Sequence, residues 1–280
     1  MLRTRVLTAL ILLVVFLGAL FFLPPVGWVG VATVIAAVAA WEWGALVGLR
    51  GGSRVVFVAA IVLMCLAWVA IWPATVGLST DQQDGSGLMA VLPHWIALAF
   101  WCIVVPLWFG RRWQVGGSSV GLLVGAIVLI PTWLALIQLR QAGELVLLGF
   151  MAIVWVADSG AYFFGRALGR HKLAPTISPG KTWEGAFGGA LAVMVYGFAC
   201  RQFASAYATS PVWLFVLALV LYTVLSVMGD LFESLMKRQA GMKDSGTILP
   251  GHGGALDRID SLTSTLPIAV LLLHLAQASF

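Results

Sequence analysis

Between residues 230 and 260 the chain concentrates side chains suited to phosphate chemistry. Asp230, Glu233, Ser234 and Lys237 stand at i, i+3, i+4 and i+7, so at 100° per residue they share one helical face. A lysine that snorkels to headgroups and pairs with Glu233 would account for part of this stripe, but it leaves Asp230 unexplained. The following segment, QAGMKDSGTILPGHGGALDRID, carries Lys243, Asp244 and then His252 before Gly253 and Gly254. The backbone N–H groups of such a glycine pair can approach an anion closely, and phosphate is the natural candidate. Asp257 and Asp260 fall one helical turn apart, with Arg258 between them. Carboxylates beside a glycine-rich cradle suit Mg²⁺, which takes a few carboxylates together with substrate phosphate oxygens.

A second polar segment, residues 166–184, holds Ser178 and Lys181. Its Gly180-Lys181-Thr182 run looks like the end of a P-loop, but Pro175 occupies the place of the earlier glycine, so it is no Walker motif. Asp158 could line a polar cavity or make a structural hydrogen bond. Glu42, in WEWG, reads as an interfacial carboxylate reaching water between two tryptophans. His252 reads as a proton donor to pyrophosphate or as a residue that orients its loop.

The elements that must position these groups are membrane spans. Of 280 residues, 61% are hydrophobic and 10% charged, and the mean hydropathy is +1.01. Crossing the hydrocarbon takes roughly 20 apolar residues. Such stretches fall at 4–22, 27–49, 55–73, 91–110, 117–138, 145–165, 185–205, 211–232 and 259–279. Long continuous runs without alternation point to helices rather than barrel strands. The expected fold is therefore all-α, a polytopic integral membrane protein of about nine spans. A leader peptide is an alternative for the first span, but no small-residue cleavage site precedes Pro24 and Pro25.

With the N-terminus inside and the spans alternating, 14 of the 16 basic residues fall on the cytoplasmic side; only Arg140 and Arg201 do not. That asymmetry supports the span count and the orientation, with the N-terminus and both polar loops, 166–184 and 237–258, cytoplasmic and the C-terminus outward. The net charge of +5 then reflects loops next to anionic headgroups and calls for no nucleic-acid partner. Cys65, Cys102 and Cys200 lie in apolar spans without a CxxC pair, so they read as packing residues. The chain divides into residues 1–140, about five spans with little chemistry, and 141–280, four spans with the polar loops.

From Ser234 to Asp260 the sequence resembles the phosphatidate cytidylyltransferases, or CDP-diacylglycerol synthases. That family's signature, Ser-x-x-Lys-Arg, then Lys-Asp, His-Gly-Gly and Asp-Arg-x-Asp, is matched by Ser234, Lys237, Arg238, Lys243, Asp244, His252, Gly253, Gly254, Asp257, Arg258 and Asp260. DSGAYFFGRALGR from Asp158 and SPGKTWEG from Ser178 are similar to further family elements, with Ser159 where threonine is more usual. The resemblance covers roughly the C-terminal half, and the first 140 residues correspond to the family's variable spans.

The resemblance implies transfer of CMP from CTP to phosphatidic acid, giving CDP-diacylglycerol and pyrophosphate in phospholipid biosynthesis at the inner membrane. It implies Mg²⁺, a paired-metal site at Asp230 and Asp257 with a possible second cation, and a homodimer. Asp260 would ligate or support the metal, and Ser234 would bond a phosphate or a metal-bound water. Lys237, Arg238, Lys243 and Arg258 would offset substrate charge, while Lys181 and Ser178 would close over the nucleotide or headgroup. A cation-coupled transporter predicts paired broken helices in two halves, and a CDP-alcohol phosphotransferase predicts an Asp-Gly-x-x-Ala-Arg run; neither is found in the sequence.

Overall fold

The structure is a computed structural model that describes residues 2–80, 86–115, 119–201, 211–249, 251 and 253–278. Nine helical rods account for nearly all of it. These are α1 (Leu2–Phe22), α2 (Pro25–Leu46), α3 (Gly52–Ile71), α4 (Ser86–Ala99) continuing into α5 (Val105–Arg111), α6 (Ser119–Ala142), α7 (Glu144–Leu168), α8 (Trp183–Arg201), α9 (Val212–Gln239) and α10 (Leu256–Ala278). Among the described residues eight rods are long and apolar enough to cross a membrane, and the apolar part of the first, Val6–Phe22, is shorter. The protein is an all-α polytopic membrane protein.

Helix ends follow local chemistry. Pro25 opens α2 at its first turn, where a missing N–H costs nothing. Gly241, at φ +68°, ends α9 as Met242 N–H turns back to the carbonyl of Lys237 at 2.8 Å. This helix runs to Gln239 rather than stopping near 232, so the whole stripe from Asp230 to Lys237 is helical. Between α4 and α5, residues Phe100–Val104 form a π turn. Pro106 follows it, and the wider turn relieves the clash its ring would make with the carbonyl four residues earlier.

One element of the 166–184 segment departs from the all-helical expectation. Strand β1 (Lys172–Ala174) pairs antiparallel with β2 (Ser178–Thr182), Lys172 opposite Thr182. Thr182 then caps α8, its hydroxyl accepting the Gly185 N–H at 3.1 Å.

Two packing features fix the polar face of α9. Phe232, 1% exposed, sits among Trp43, Phe100, Trp101 and Trp108 with ring centroids 5.5–6.4 Å away. Two residues on from Asp230, it lies on nearly the opposite side of the helix. The aromatic cluster thus anchors α9 to α2 and α4–α5 and turns Asp230 away from them. On another side, Gly229 lets α10 approach, for a Cβ there would lie 2.5 Å from Ser264 Oγ and 2.8 Å from the Asp260 carbonyl.

Candidate active site

The hairpin reaches across to α9. Lys181 on β2 places its ammonium 2.5 Å from Asp230 Oδ2, while Ser234 donates to Asp230 Oδ1 at 3.2 Å. Arg238 Nε donates to the Ile177 carbonyl at 3.4 Å, tying the end of α9 to the hairpin turn. Beneath the hairpin lies a cavity of about 490 Å³ whose lining includes Asp158, Tyr162, Arg166, Ser178, Lys181 and Asp230. Two sequence segments read separately, the 166–184 loop and the α9 stripe, therefore form one cleft.

Asp158 belongs to that cleft because α7 and α8 pack almost backbone to backbone. A Cβ at Gly189 would stand 2.8 Å from the Ala157 carbonyl, and one at Gly185 2.8 Å from that of Ala161. Small residues at such spacing permit close helix approach within a bilayer. Asp158 is brought within electrostatic reach of Asp230 and Lys181, and Asp260 within reach of Asp230, Asp158 and Glu233. The cavity reading of Asp158 is the one the structure supports.

Asp257 lies at the first turn of α10, where Lys237 joins it to Glu233. Lys237 Nζ is 2.6 Å from Asp257 Oδ1 and is also paired with Glu233 Oε2, whereas Glu233 Oε1 is buried without a hydrogen-bond partner among the described residues. Asp257 Oδ2 accepts the N–H groups of Ser245 (3.0 Å) and Gly254 (2.8 Å). Of the glycine pair expected to face phosphate, the Gly254 N–H is directed at Asp257 in this structure. Gly253, at φ +81°, makes the tight turn that allows it, and its carbonyl accepts the Leu249 N–H at 3.0 Å.

The larger correction concerns Glu42, which is fully buried rather than interfacial. Its Oε2 accepts Ser245 Oγ–H at 3.0 Å and Leu256 N–H at 2.7 Å, and its Oε1 accepts Ala255 N–H at 3.0 Å. A residue of α2 thereby takes up two of the orphan amides at the start of α10. Sequence reasoning missed Glu42 and Ser245 because their partners are distant along the chain. The usable signal was a carboxylate inside an apolar span, which demands a buried partner.

Lys243, Asp244, Arg238 and Arg258 are exposed around this core, and Ser178 is half-buried at the cleft. His252 lies outside the described residues, so the two readings of it are not distinguished.

The donor set suits divalent cations by charge. Asp158, Asp230, Glu233, Asp257 and Asp260 gather five carboxylates around two lysines, Lys181 and Lys237. Among the described residues no three carboxylate, imidazole or thiol groups converge on one ready-made metal position. By charge and donor type the carboxylates fit Mg²⁺, which binds through one or two carboxylates and completes its shell with water and substrate phosphates.

Comparison with known proteins gives the family. A phosphatidate cytidylyltransferase of Pseudomonas aeruginosa is 36% identical over 282 residues, covering 99% of this chain and 98% of its own. One from Haemophilus influenzae is 34% identical over 95% of this chain and 96% of its own, and one from Staphylococcus epidermidis is 45% identical over about half of each chain. The model of the cytidylyltransferase family matches residues 3–276, and the chain belongs to that family.

Proposed function

We propose that the protein is a phosphatidate cytidylyltransferase, transferring CMP from CTP to phosphatidic acid and releasing pyrophosphate. The observation that carries the reading is the Lys181–Asp230 pair lining a cleft between α7, α8 and α9, beside the Asp257–Lys237–Glu233 cluster. The attacking oxygen of phosphatidate is already anionic, so no side chain must activate it; positioning and charge neutralisation are what remain. Lys181 and Lys237 are held by carboxylates and can turn to phosphate oxygens as substrates arrive, with Arg238, Lys243 and Arg258 at the cytosolic rim drawing in the triphosphate.

Asp230 and Asp257 would hold Mg²⁺, with Asp260 and Asp158 beside them; the ion would neutralise charge on the α-phosphate and the leaving pyrophosphate. Residues 141–280 form the catalytic region and 1–140 its transmembrane support. The cleft opens to the cytoplasm in this reading, so CTP arrives from the cytosol while the acyl chains stay in the bilayer, the inner membrane of the cell. A homodimer belongs to the same reading, carried by the family resemblance.

The test is formation of labelled CDP-diacylglycerol by the purified protein in detergent, given CTP, phosphatidate and Mg²⁺, with Asp230→Ala alongside. Product from the wild type that disappears with the variant supports the proposal; a folded wild type that makes none in several lipids refutes it.

A further inference from the structure

We infer that Glu42 is a positioning residue for this transfer, acting through Ser245 on Asp257; the inference rests on the cytidylyltransferase reading above. Glu42 is joined to the site by an unbroken set of bonds. Its Oε2 accepts Ser245 Oγ–H (3.0 Å), the same Oγ accepts Asp257 N–H (3.3 Å), and Ser245 N–H donates to Asp257 Oδ2 (3.0 Å). Asp257 in turn holds Lys237. Glu42 and Ser245 are 0% and 1% exposed, respectively. With both oxygens occupied by donors, the carboxylate has no freedom to rotate away.

The loop is built around that carboxylate. A Cβ at Gly246 would stand 2.4 Å from Glu42 Oε1, and one at Gly254 2.5 Å from Oε2 and 2.1 Å from Ser245 Oγ. Glycine is required at both places by the approach of Glu42, and Gly254 is also the residue whose N–H holds Asp257. An ordinary helix cap is local, supplied by a residue at the N-cap itself. Here the Ala255 side chain offers no acceptor, and the cap comes from a helix 213 residues earlier in the chain. A cap supplied from α2 fixes the loop and α10 relative to the half of the bundle that carries the α9 aromatic anchor. Both carboxylates expected to take the metal are thereby referred to α2: Asp257 through Glu42, Asp230 through Phe232 and Trp43.

The test is Glu42→Gln, which keeps shape and burial but turns an amide NH₂ toward backbone donors, with Ser245→Ala and the double variant. Wild type is assayed beside them, so a failure of the cytidylyltransferase reading appears as an inactive wild type. We expect kcat to fall about 10- to 100-fold in Glu42→Gln and the Mg²⁺ concentration for half-maximal rate to rise, as for groups that support metal ligands. KM for phosphatidate should change less than about threefold, because the acyl chains are held elsewhere. Ser245→Ala should show the same pattern, and the double variant should be no worse than Glu42→Gln alone, since the two act through one path. A folded Glu42→Gln that loses thermal stability but keeps wild-type kcat and Mg²⁺ dependence would overturn the inference. If Glu42→Gln does not fold, wild-type behaviour of Ser245→Ala overturns it equally.

Discussion

The ammonium of Lys181 and the carboxylate of Asp230 meet at 2.5 Å across a cleft, one from a two-stranded hairpin and the other from a transmembrane helix. Each side chain is only about a quarter exposed, 25% and 29%, so the pair is screened by water from one side and adds little to stability. On the transfer proposed above, its value would lie in poising a lysine where phosphate enters.

Lys181→Met should therefore lower kcat/KM by about 10²-fold, the loss expected when a charge that stabilises a phosphoryl transition state is removed. The melting temperature in detergent should move by no more than about 2 °C. Parallel rate and thermal-shift measurements check both halves; a large melting shift with little rate loss would make Lys181 a structural residue.

Much of this was legible in the sequence, and the limits have physical causes. Apolar runs of 20 residues leave few alternatives, so all nine rods were foreseen, most within about four residues of their ends, but α9 continues seven residues past its expected end at 232 because its last two turns are polar. The stripe from Asp230 to Lys237 was legible because helical periodicity is a local property. The hairpin over Lys172–Thr182 was not, since strands of three and five residues carry too few side chains to reveal alternation. Glu42 was misjudged for a related reason: its nearest hydrogen-bonding partner in sequence is Ser245, 203 residues away, and hydrophobic pattern alone does not distinguish a buried cap from an interfacial acid.

The glycine contacts of α7 and α8 make a sharper demand. Gly189→Val would push a side chain into the Ala157 carbonyl, already 2.8 Å from a hypothetical Cβ, and backbone cannot yield as a flexible side chain can. Separation of the helices should displace Asp158 and abolish activity. Gly30→Ala, in α2 with nothing within 4 Å of the new Cβ, should keep full activity and gain a few tenths of a kcal/mol or more from helix propensity, roughly up to 1 kcal/mol. Thermal melts and product formation for the two variants separate crowding from glycine loss as such.

Phe232→Ala probes how the anchor of α9 supports the site. The ring is buried among four aromatic side chains, and removing such a ring costs about 3–5 kcal/mol in close-packed interiors, equivalent to a melting shift of roughly 6–12 °C. Activity per folded molecule, measured below the lowered transition, should also fall, because α9 can then roll and turn Asp230 from Lys181. A variant that melts earlier yet keeps its full rate would mean the α9–α10 contact at Gly229 sets that rotation alone.

The five carboxylates gathered around Lys181 and Lys237 make metal binding testable without turnover. An ion that binds the folded state stabilises it by mass action, about 2.7 kcal/mol at a hundredfold excess over Kd. Mg²⁺ should therefore raise the melting temperature of the wild type in a saturable way, and EDTA should reverse the rise. Asp230→Asn and Asp257→Asn each remove one negative charge from the cluster and should weaken the response, whereas Arg50→Gln, exposed and outside the cleft, should leave it near the wild-type level. CTP added with Mg²⁺ should stabilise more than either alone, because phosphate oxygens complete a coordination shell the protein fills only in part. Equal Mg²⁺ responses in the wild type and both aspartate variants would place the ion elsewhere and leave Asp230 and Asp257 as partners of the two lysines.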